Sequence, residues 1–321
     1  MDTPQSQSNA MLSRGYLICL VGVTFWSTTG ILIRYLTVNF QLPALVLAFW
    51  RDFFVAAALI LVLKIAGVRL LPALKFHWQF LILYGLMLSV FNALWTFSVA
   101  LNGAAVSTVL VYSSPAFTAV LGWWFFQEKV SWFKFGVIIF CLAGTILVSE
   151  AYTRAVWQVN LAGVITGLAS GLLFAAYGLF GKEAARRQIN SWVSLAITFG
   201  SAAGFLLVYN LAASLVDGRP AWPDLFWLGD SLSGWLILIL LALVPTIVGY
   251  GLYTNSLNYL PTNVANLIAT LEPVQTTILA VILLGEAMGF AQVWGSVLIL
   301  GSVVALRIWE VRARPRPVLV K

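Results

Sequence analysis

The sequence predicts an all-α, polytopic membrane protein with ten transmembrane helices in two inverted five-helix repeats. Of its 321 residues, 61% are hydrophobic and only 9% are charged, and the mean hydropathy is +0.95. Soluble domains are roughly 45–50% apolar and 25% charged. The apolar residues also fall into ten stretches of membrane-spanning length, and a proline-containing segment of the first half recurs in the second.

The ten stretches are each long enough to span a bilayer, because about 20 apolar residues cross a hydrocarbon core of roughly 30 Å. They are 14–36, 44–66, 78–100, 104–126, 132–150, 160–181, 191–213, 235–257, 262–285 and 289–309. Little chain remains outside them. We therefore expect a cytoplasmic tail over 1–13, a first repeat over 14–150, a second repeat over 151–309 and a basic cytoplasmic tail over 310–321.

The two halves correspond at nearly constant spacing. Pro115 corresponds to Pro273, 158 positions later, and Trp26 corresponds to Phe174 at a spacing of 148. Five is an odd number of helices, so the second copy enters the membrane from the opposite face. Duplicated apolar segments broken by proline are the best sequence indication of a substrate site in transporters with inverted repeats. We expect Pro115 and Pro273 to break their helices beside such a site.

Lysine and arginine residues are distributed unevenly between the predicted loops. With the N-terminus placed in the cytoplasm, 14 of them lie on the inner side and three on the outer side, while Arg51 lies within the second span. An excess of positive charge in cytoplasmic loops is the usual pattern in membrane proteins. Both termini are therefore expected to be cytoplasmic.

The sequence offers no pattern typical of an enzyme or of a bound cofactor or metal. His77 is the single histidine, which excludes an HExxH zinc site. The GxSxG nucleophile elbow is also absent. A phosphate loop ending at Lys182 is not completed, because Ala176 stands where its first glycine belongs. We expect no enzymatic activity, no cofactor and no nucleic-acid partner.

Two motifs give the chain a family resemblance. Residues 115–128 read PAFTAVLGWWFFQE and residues 273–286 read PVQTTILAVILLGE, each with a proline followed thirteen residues later by a glutamate at a helix end. FWST in the first span and FWRD in the second accompany them. The chain resembles the EamA-type branch of the drug/metabolite transporter superfamily over about residues 14–309. It departs from a symmetric pattern in that the seventh span has no partner for Arg51, and Gln127 stands where the second repeat has Gly285.

The resemblance implies a transporter with ten helices, located in a bacterial inner membrane. Members of this superfamily carry amino acids, purines, riboflavin-like metabolites and drugs, usually outward and often with a proton gradient as the driving force. The resemblance therefore implies a small-molecule substrate without identifying it. Protons are a candidate coupling ion, and the lipid bilayer is the surrounding partner.

Three ionisable residues lie within predicted spans, where charged groups are costly and indicate function by default. Glu272 lies about ten residues into the ninth span, hence roughly 15 Å deep. It is a candidate proton carrier or a docking point for a cationic group of the substrate. Contact with polar groups of a neighbouring helix, or with a water-filled vestibule, is the alternative.

Arg51 and Asp52 are adjacent, so their side chains leave the helix about 100° apart and need not pair. We expect Arg51 to anchor a neighbouring helix or to reach the outer interface, which is a structural role. Binding of a substrate carboxylate by Arg51 remains the alternative.

A line of polar residues follows one face of the ninth span, and a similar line follows the fourth. The first consists of Asn266, Thr270, Pro273 and Thr277, and the second of Thr108, Tyr112, Pro115 and Ala119. Each proline frees a carbonyl, which in a membrane must face protein or water. The two lines predict a polar-walled cavity, with simple helix packing as the alternative. Glu272 points more than 90° away from its line, so at most one of the two faces is expected at the cavity.

Aromatic and amide side chains away from the membrane borders complete the predicted cavity. They are Trp26, Asn92, Trp95, Tyr177, Tyr250 and Tyr253. Aromatic faces with a few polar groups suit an amphipathic or aromatic organic molecule, although lipid contact explains such residues too. In contrast, Gly163, Gly167 and Gly171 recur every four residues and predict close helix packing.

These observations favour a secondary-active exporter of small organic metabolites, such as amino acids or related amphipathic compounds. Alternating access would follow from rocking of the two inverted repeats about a cavity at the midplane. A channel, a lipid scramblase or a receptor with the same helices is the alternative.

Overall fold

The computed structural model describes residues 4–126, 131–148, 151–153, 160–216, 221–284 and 289–313, and every regular element in these ranges is helical. The helices are α1 (Pro4–Trp26), α2 (Thr29–Asn39), α3 (Ala44–Ile65), α4 (Leu71–Val111), α5 (Ser114–Phe126), α6 (Trp132–Val148), α7 (Leu161–Arg186), α8 (Ser191–Val216), α9 (Ala221–Leu225), α10 (Leu232–Leu241), α11 (Gly249–Ser256), α12 (Thr262–Ala269), α13 (Glu272–Leu284) and α14 (Phe290–Ala313). A π-helical segment, Ala242–Val248, joins α10 to α11. Glu128 and Glu286, which end the two repeated motifs, lie outside the described residues, as do Gln127 and Gly285.

Six helical segments of the described chain are long and apolar enough to cross a membrane: Met11–Thr37, Ala44–Ile65, Leu71–Ser98, Leu161–Arg186, Ser191–Val216 and Leu232–Ser256. Three shorter apolar helices accompany them: Val109–Trp124, Trp132–Val148 and Phe290–Leu306. The all-helical, polytopic prediction is thus confirmed, while the layout of ten spans in two inverted repeats stays a prediction.

The third and fourth predicted spans differ from expectation in their boundary. Helical hydrogen bonding continues from Leu71 to Val111 without the expected loop at 101–103. The axis nevertheless reverses, because Ser98 Oγ lies 2.8 Å from Ser107 Oγ. In a straight helix, residues nine apart are separated by roughly 13.5 Å along the axis. The two arms of α4 therefore meet at these two serines and do not form one straight helix.

Three of the predicted spans are interrupted, and two of the interruptions lie just before a proline. The first turns at residues 27–28, between α1 and α2; the fourth turns at 112–113, between α4 and α5; and the ninth turns at 270–271, between α12 and α13. Pro115 and Pro273 are each the second residue of the helix that follows the turn. A proline is tolerated in the first helical turn because its missing N–H has no partner there. Both prolines therefore mark the predicted breaks.

The eighth span contains a π-helical distortion that is not found among the described residues of the first half. Pro245 lies within the π-helical segment and cannot donate to the carbonyl of Leu241, four residues earlier. The hydroxyl of Thr246 donates to that carbonyl instead, at 2.8 Å. The span therefore continues past the proline without leaving this carbonyl unpaired.

The glycines of α7 bring it against α4. Ser98 Oγ donates to the carbonyl of Gly163 at 2.9 Å. A Cβ placed on Gly167 would lie 2.6 Å from Leu110 Cδ1, and one placed on Gly171 would lie 2.9 Å from the carbonyl oxygen of Leu110. Any larger residue would push the helices apart, so the prediction of close packing is confirmed.

Candidate functional site

Five aromatic side chains from three helices form a buried cluster in the centre of the bundle. The aromatic cluster consists of Trp26 on α1, Phe174 and Tyr177 on α7, and Tyr250 and Tyr253 on α11, and all five are buried. The ring centroid of Trp26 lies 4.4 Å from that of Tyr250, 5.6 Å from that of Phe174 and 5.7 Å from that of Tyr253. Tyr177 lies 5.7 Å from Tyr250, edge to face. Four members were predicted from the sequence, and the structure brings them together.

An amide connects this cluster to the broken helices. The hydroxyl of Tyr253 donates to Asn266 Oδ1, and Asn266 Nδ2 donates to Thr118 Oγ1 at 2.5 Å. Asn266 is fully buried on α12, and Thr118 is fully buried on α5. One chain of hydrogen bonds therefore joins α11, α12 and α5, and it fixes the amide orientation of Asn266.

Glu272 joins the two proline-marked breaks. It is the first residue of α13, directly after the turn at 270–271, and the hydroxyl of Tyr112 donates to its Oε2 atom. Tyr112 itself lies in the turn between α4 and α5. Because Asn266 also reaches α5 through Thr118, both faces of the ninth span contact the same break. This differs from the expectation for one straight helix, since the turn at 270–271 changes the rotation between Asn266 and Glu272.

The break in the first span also contacts α13. Thr276 Oγ1 donates to the carbonyl of Ser27 at 2.9 Å, and Gln275 Nε2 donates to Thr24 Oγ1 at 3.1 Å. The carbonyl of Ser27 lies in the turn at 27–28. The helix α13, which follows the third break, is therefore connected by hydrogen bonds to the other two breaks.

Arg51 and Asp52 form a buried ion pair on α3. Arg51 Nε lies 3.1 Å from Asp52 Oδ1, and their side chains are 7% and 0% exposed. Asp52 Oδ2 accepts a hydrogen bond from Asn92 Nδ2 on α4 at 2.9 Å. The two residues were not expected to require each other, but the long arginine side chain bends back to its neighbour. The expected anchoring of α3 to a neighbouring helix is made by Asp52 through Asn92.

The remaining predicted residues are less central. Thr270 is buried in the turn after α12, and its hydroxyl donates to the carbonyl of Leu267 in that helix at 2.6 Å. Trp95 is partly buried and packs against the main hydrophobic core. Thr108 lies on α4, and its side chain is outside the described part of the chain, as is that of Thr277.

Several contributing residues were missed by the sequence analysis. Phe174 stacks with Phe91 at 5.5 Å and contacts Trp26, its partner in the repeat, so the correspondence of the halves could have identified it. Thr118 lies three residues after Pro115, and no other feature of the sequence indicates its role. Lys182 donates to the carbonyls of Leu257 and Leu260 at 3.1 Å each, and this contact depends on a loop position that no local pattern indicates.

An open cavity of about 440 Å³ lies at the end of α7. It is bounded by the turn between α7 and α8 and by the end of α11, and its walls include Gln188, Asn190, Ser191, Trp192 and Asn258. Amide and hydroxyl groups dominate this wall. The cavity lies next to the C-terminal ends of α7 and α11, the helices that carry Tyr177 and Tyr253.

Comparison with known proteins agrees with this architecture. The EamA-like transporter family matches residues 13–150 and again 161–308. An uncharacterized transporter of Synechocystis is 25% identical over 71% of this chain and 66% of its own length. A protein of Salmonella typhimurium named as a probable amino-acid metabolite efflux pump is 26% identical over 75% of this chain and 84% of its own.

The fold also has a solved counterpart. A crystal structure superposes with a TM-score of 0.77 at 17% identity, covering 94% of this chain and 99% of the other. At that identity the likeness concerns the fold alone. Two successive matches to one family model agree with the duplicated motifs at Pro115 and Pro273. The chain is therefore an integral membrane protein that belongs to the EamA-like transporter family, in the drug/metabolite transporter superfamily.

Proposed function

We propose that this protein is a secondary-active exporter of small organic metabolites, with amino acids or related amphipathic compounds as its cargo. The observation that supports this most is the meeting of the two repeated helix breaks, where Tyr112 contacts Glu272 and Thr118 contacts Asn266. Broken helices that face each other at the repeat interface are typical of transporter substrate sites. The aromatic cluster beside them suits an amphipathic molecule, and the efflux-pump relative supports outward transport of amino-acid metabolites.

In this proposal the two halves are inverted repeats that rock about the breaks. Each half then adopts in turn the conformation of the other, which opens the site alternately to each side. Short helices such as α12 and α13 can change their mutual angle at the turn without unpacking a long span. The hydrogen bonds across the breaks hold one of the two conformations.

Glu272 is proposed to couple transport to protons. As a carboxylate it accepts a charge-assisted hydrogen bond from Tyr112, and such bonds are about twice as strong as neutral ones. Protonation of Glu272 would weaken this contact between the breaks. A proton would then favour the conformation in which the two residues are separated.

The protein is proposed to lie in a bacterial inner membrane with both termini in the cytoplasm. The excess of lysine and arginine in the predicted inner loops supports this orientation. In it, the ends of α7 and α11 and the cavity beside Asn190 and Asn258 face the cytoplasm. An exporter would collect its cargo from that side.

Counterflow in proteoliposomes tests the carrier. Vesicles are loaded with one unlabelled candidate at a time, and uptake of trace labelled amino acids, purines or drug-like cations is followed. Saturable, transient accumulation with one class is the expected result, since exchange requires alternating access. Flux that does not saturate would instead indicate a channel. No accumulation in folded protein would favour a scramblase or a receptor.

The coupling role is tested with Glu272→Gln. This variant should retain counterflow, which needs no net proton movement, and lose the pH dependence of net transport. Glu183→Gln is the control, because that carboxylate pairs with arginines near the end of α7. Unchanged pH dependence in Glu272→Gln would show that another group carries the proton.

A further inference from the structure

Among the buried hydroxyl groups of the described residues that have no hydrogen-bond partner, three lie next to one another. They belong to Tyr84 on α4, Tyr177 on α7 and Thr254 on α11, whose exposed fractions are 1%, 0% and 3%. Among the described residues, none provides any of the three hydroxyl oxygens with a hydrogen bond. Buried polar groups are normally paired, because removing them from water without compensation is costly. Three unpaired groups in one region indicate that a partner from outside the chain belongs there.

The three hydroxyls converge on one place. That of Tyr177 lies beside those of Tyr84 and Thr254, but no pair among them has the distance and angles of a hydrogen bond. The ring centroids of Tyr84 and Tyr177 are 4.8 Å apart. A Cβ placed on Gly181 would lie 3.1 Å from the hydroxyl oxygen of Tyr84. Because Gly181 has no side chain, the hydroxyl of Tyr84 can lie close to α7.

The location of these three hydroxyls connects them to the proposed substrate site. Tyr177 belongs both to the three hydroxyls and to the aromatic cluster, and Thr254 is adjacent in sequence to Tyr253 of that cluster. In the proposed orientation the hydroxyls lie on the cytoplasmic side of the cluster. This is the side from which an exporter receives its cargo.

The chemistry of the unpaired groups indicates what they would bind. The buried carboxylates nearby are already paired, Asp52 with Arg51 and Asn92, and Glu272 with Tyr112. Converging O–H donors complement a group with several acceptor lone pairs, and a carboxylate is such a group. Resting on the proposed function, we propose that Tyr84, Tyr177 and Thr254 form the subsite for the carboxylate of an amino-acid-like cargo, whose apolar part packs on the aromatic cluster.

The repeat supplies a counterpart to this subsite. Thr29 corresponds to Tyr177 at the spacing of 148, and Thr96 corresponds to Thr254 at the spacing of 158. Both threonines are buried, and the hydroxyl of Thr29 is also without a partner. The first half therefore offers hydroxyl groups that would receive the same carboxylate when the two halves exchange conformations.

Binding to the purified, full-length protein in nanodiscs tests the subsite independently of transport. The probes are L-leucine, L-phenylalanine and their carboxamides, which keep the side chain and the ammonium group but lack the carboxylate. The acids should raise the thermal unfolding midpoint of the wild-type protein in a saturable manner, and the carboxamides should bind at least tenfold more weakly. Equal stabilisation by acid and amide, or none by any acid, would overturn the assignment of a carboxylate.

Substitutions that remove single hydroxyls locate the subsite. Tyr84→Phe and Thr254→Val should each weaken binding of the acid roughly tenfold, the loss of one hydrogen bond to a charged group. Without ligand they should not lower the unfolding midpoint, because no hydrogen bond within the protein is lost. Tyr209→Phe is the matched control: its hydroxyl lies 3.1 Å from Ser89 Oγ, so this variant should be less stable without ligand and bind the acid normally.

The outcomes separate the possibilities. If Tyr84→Phe destabilises the ligand-free protein as much as Tyr209→Phe does, its hydroxyl has a permanent partner such as water, and the subsite is refuted. Unchanged affinity for the acid in both Tyr84→Phe and Thr254→Val refutes it as well. Binding that follows the expected pattern in a protein without counterflow would retain the subsite and refute the exporter. Counterflow of a cargo that lacks a carboxylate would retain the exporter and refute the carboxylate subsite.

Discussion

Loss of Arg51 should destabilise the protein more than loss of a surface arginine. Its guanidinium lies 3.1 Å from Asp52, and the two side chains are 7% and 0% exposed. Arg51→Met would leave a buried carboxylate whose remaining donor is Asn92, at 2.9 Å. Breaking a buried ion pair from one side costs about 3–5 kcal/mol. We expect about 3 kcal/mol, because one carboxylate oxygen keeps its hydrogen bond.

A second substitution should reverse most of this loss. Asp52→Asn in the Arg51→Met background removes the unpaired charge and keeps an amide oxygen for Asn92. The double variant should therefore lie within about 1 kcal/mol of the wild type, since replacing a whole buried pair is often nearly neutral. The free energy of unfolding is measured by titration with SDS in mixed micelles. The wild type, Arg51→Met, Asp52→Asn and the double variant form a double-mutant cycle. Arg186→Met is the control, because that arginine is 65% exposed and surface pairs contribute at most about 1 kcal/mol.

Two results would refute this reasoning. A loss below about 1 kcal/mol for Arg51→Met would mean that the carboxylate is not buried with the arginine as its main partner. A double variant no more stable than the single one would mean that the charge at Asp52 is not the cause. Counterflow by the double variant distinguishes a structural role of the pair from a role in transport. A double variant that is stable but inactive in counterflow would show that the pair acts on the cargo.

Three further predictions concern packing, a helix end and orientation. Gly167→Ala should destabilise by about 1–3 kcal/mol through overpacking against α4, whereas Gly204→Ala, which meets open space, should be neutral or stabilise by up to about 1 kcal/mol in the same SDS titration. Lys182→Met should cost about 2 kcal/mol, because the ammonium donates to two carbonyls after α11; an unchanged unfolding curve would contradict this. A cysteine at Ala66 should react with an impermeant maleimide from the cytoplasmic side, and one at Asp230 from the outside, over a low background since both native cysteines are buried. Reaction of both from one side would refute the proposed topology.

Composition and local patterns predicted the helical membrane fold because they depend on single residues. Hydrophobic stretches of bilayer length form helices whatever their neighbours, since backbone groups in lipid must be satisfied within the segment. The breaks at Pro115 and Pro273 were equally predictable, because a proline excludes helical hydrogen bonding at a fixed place. The aromatic cluster was found for a similar reason: each of its predicted members is large, lies away from the membrane borders and lies on a repeated helix.

The contacts of the site were harder to predict because they depend on geometry between elements. A helical projection placed Glu272 away from Asn266, but the turn at 270–271 lies between them and invalidates the projection. The helical projection also placed the side chains of Arg51 and Asp52 too far apart to require pairing. A flexible arginine side chain can nevertheless bend back over its own helix. Tyr84 gave no signal, since its significance lies in an unpaired hydroxyl that only the packed structure shows.

The contact between the breaks is asymmetric, and this asymmetry bears on how a proton could drive transport. At the spacing of 158, Tyr112 corresponds to Thr270, and Ser114 corresponds to Glu272. If the halves exchange conformations, the equivalent contact joins Ser114 to Thr270 and contains no carboxylate. A ligand shifts a two-state equilibrium only through its different affinities for the two states. On the proposed exchange, the carboxylate would contribute to the contact in one conformation and not in its counterpart. Protonation of Glu272 would then bias the exchange, which it would not do if both repeats carried the same pair.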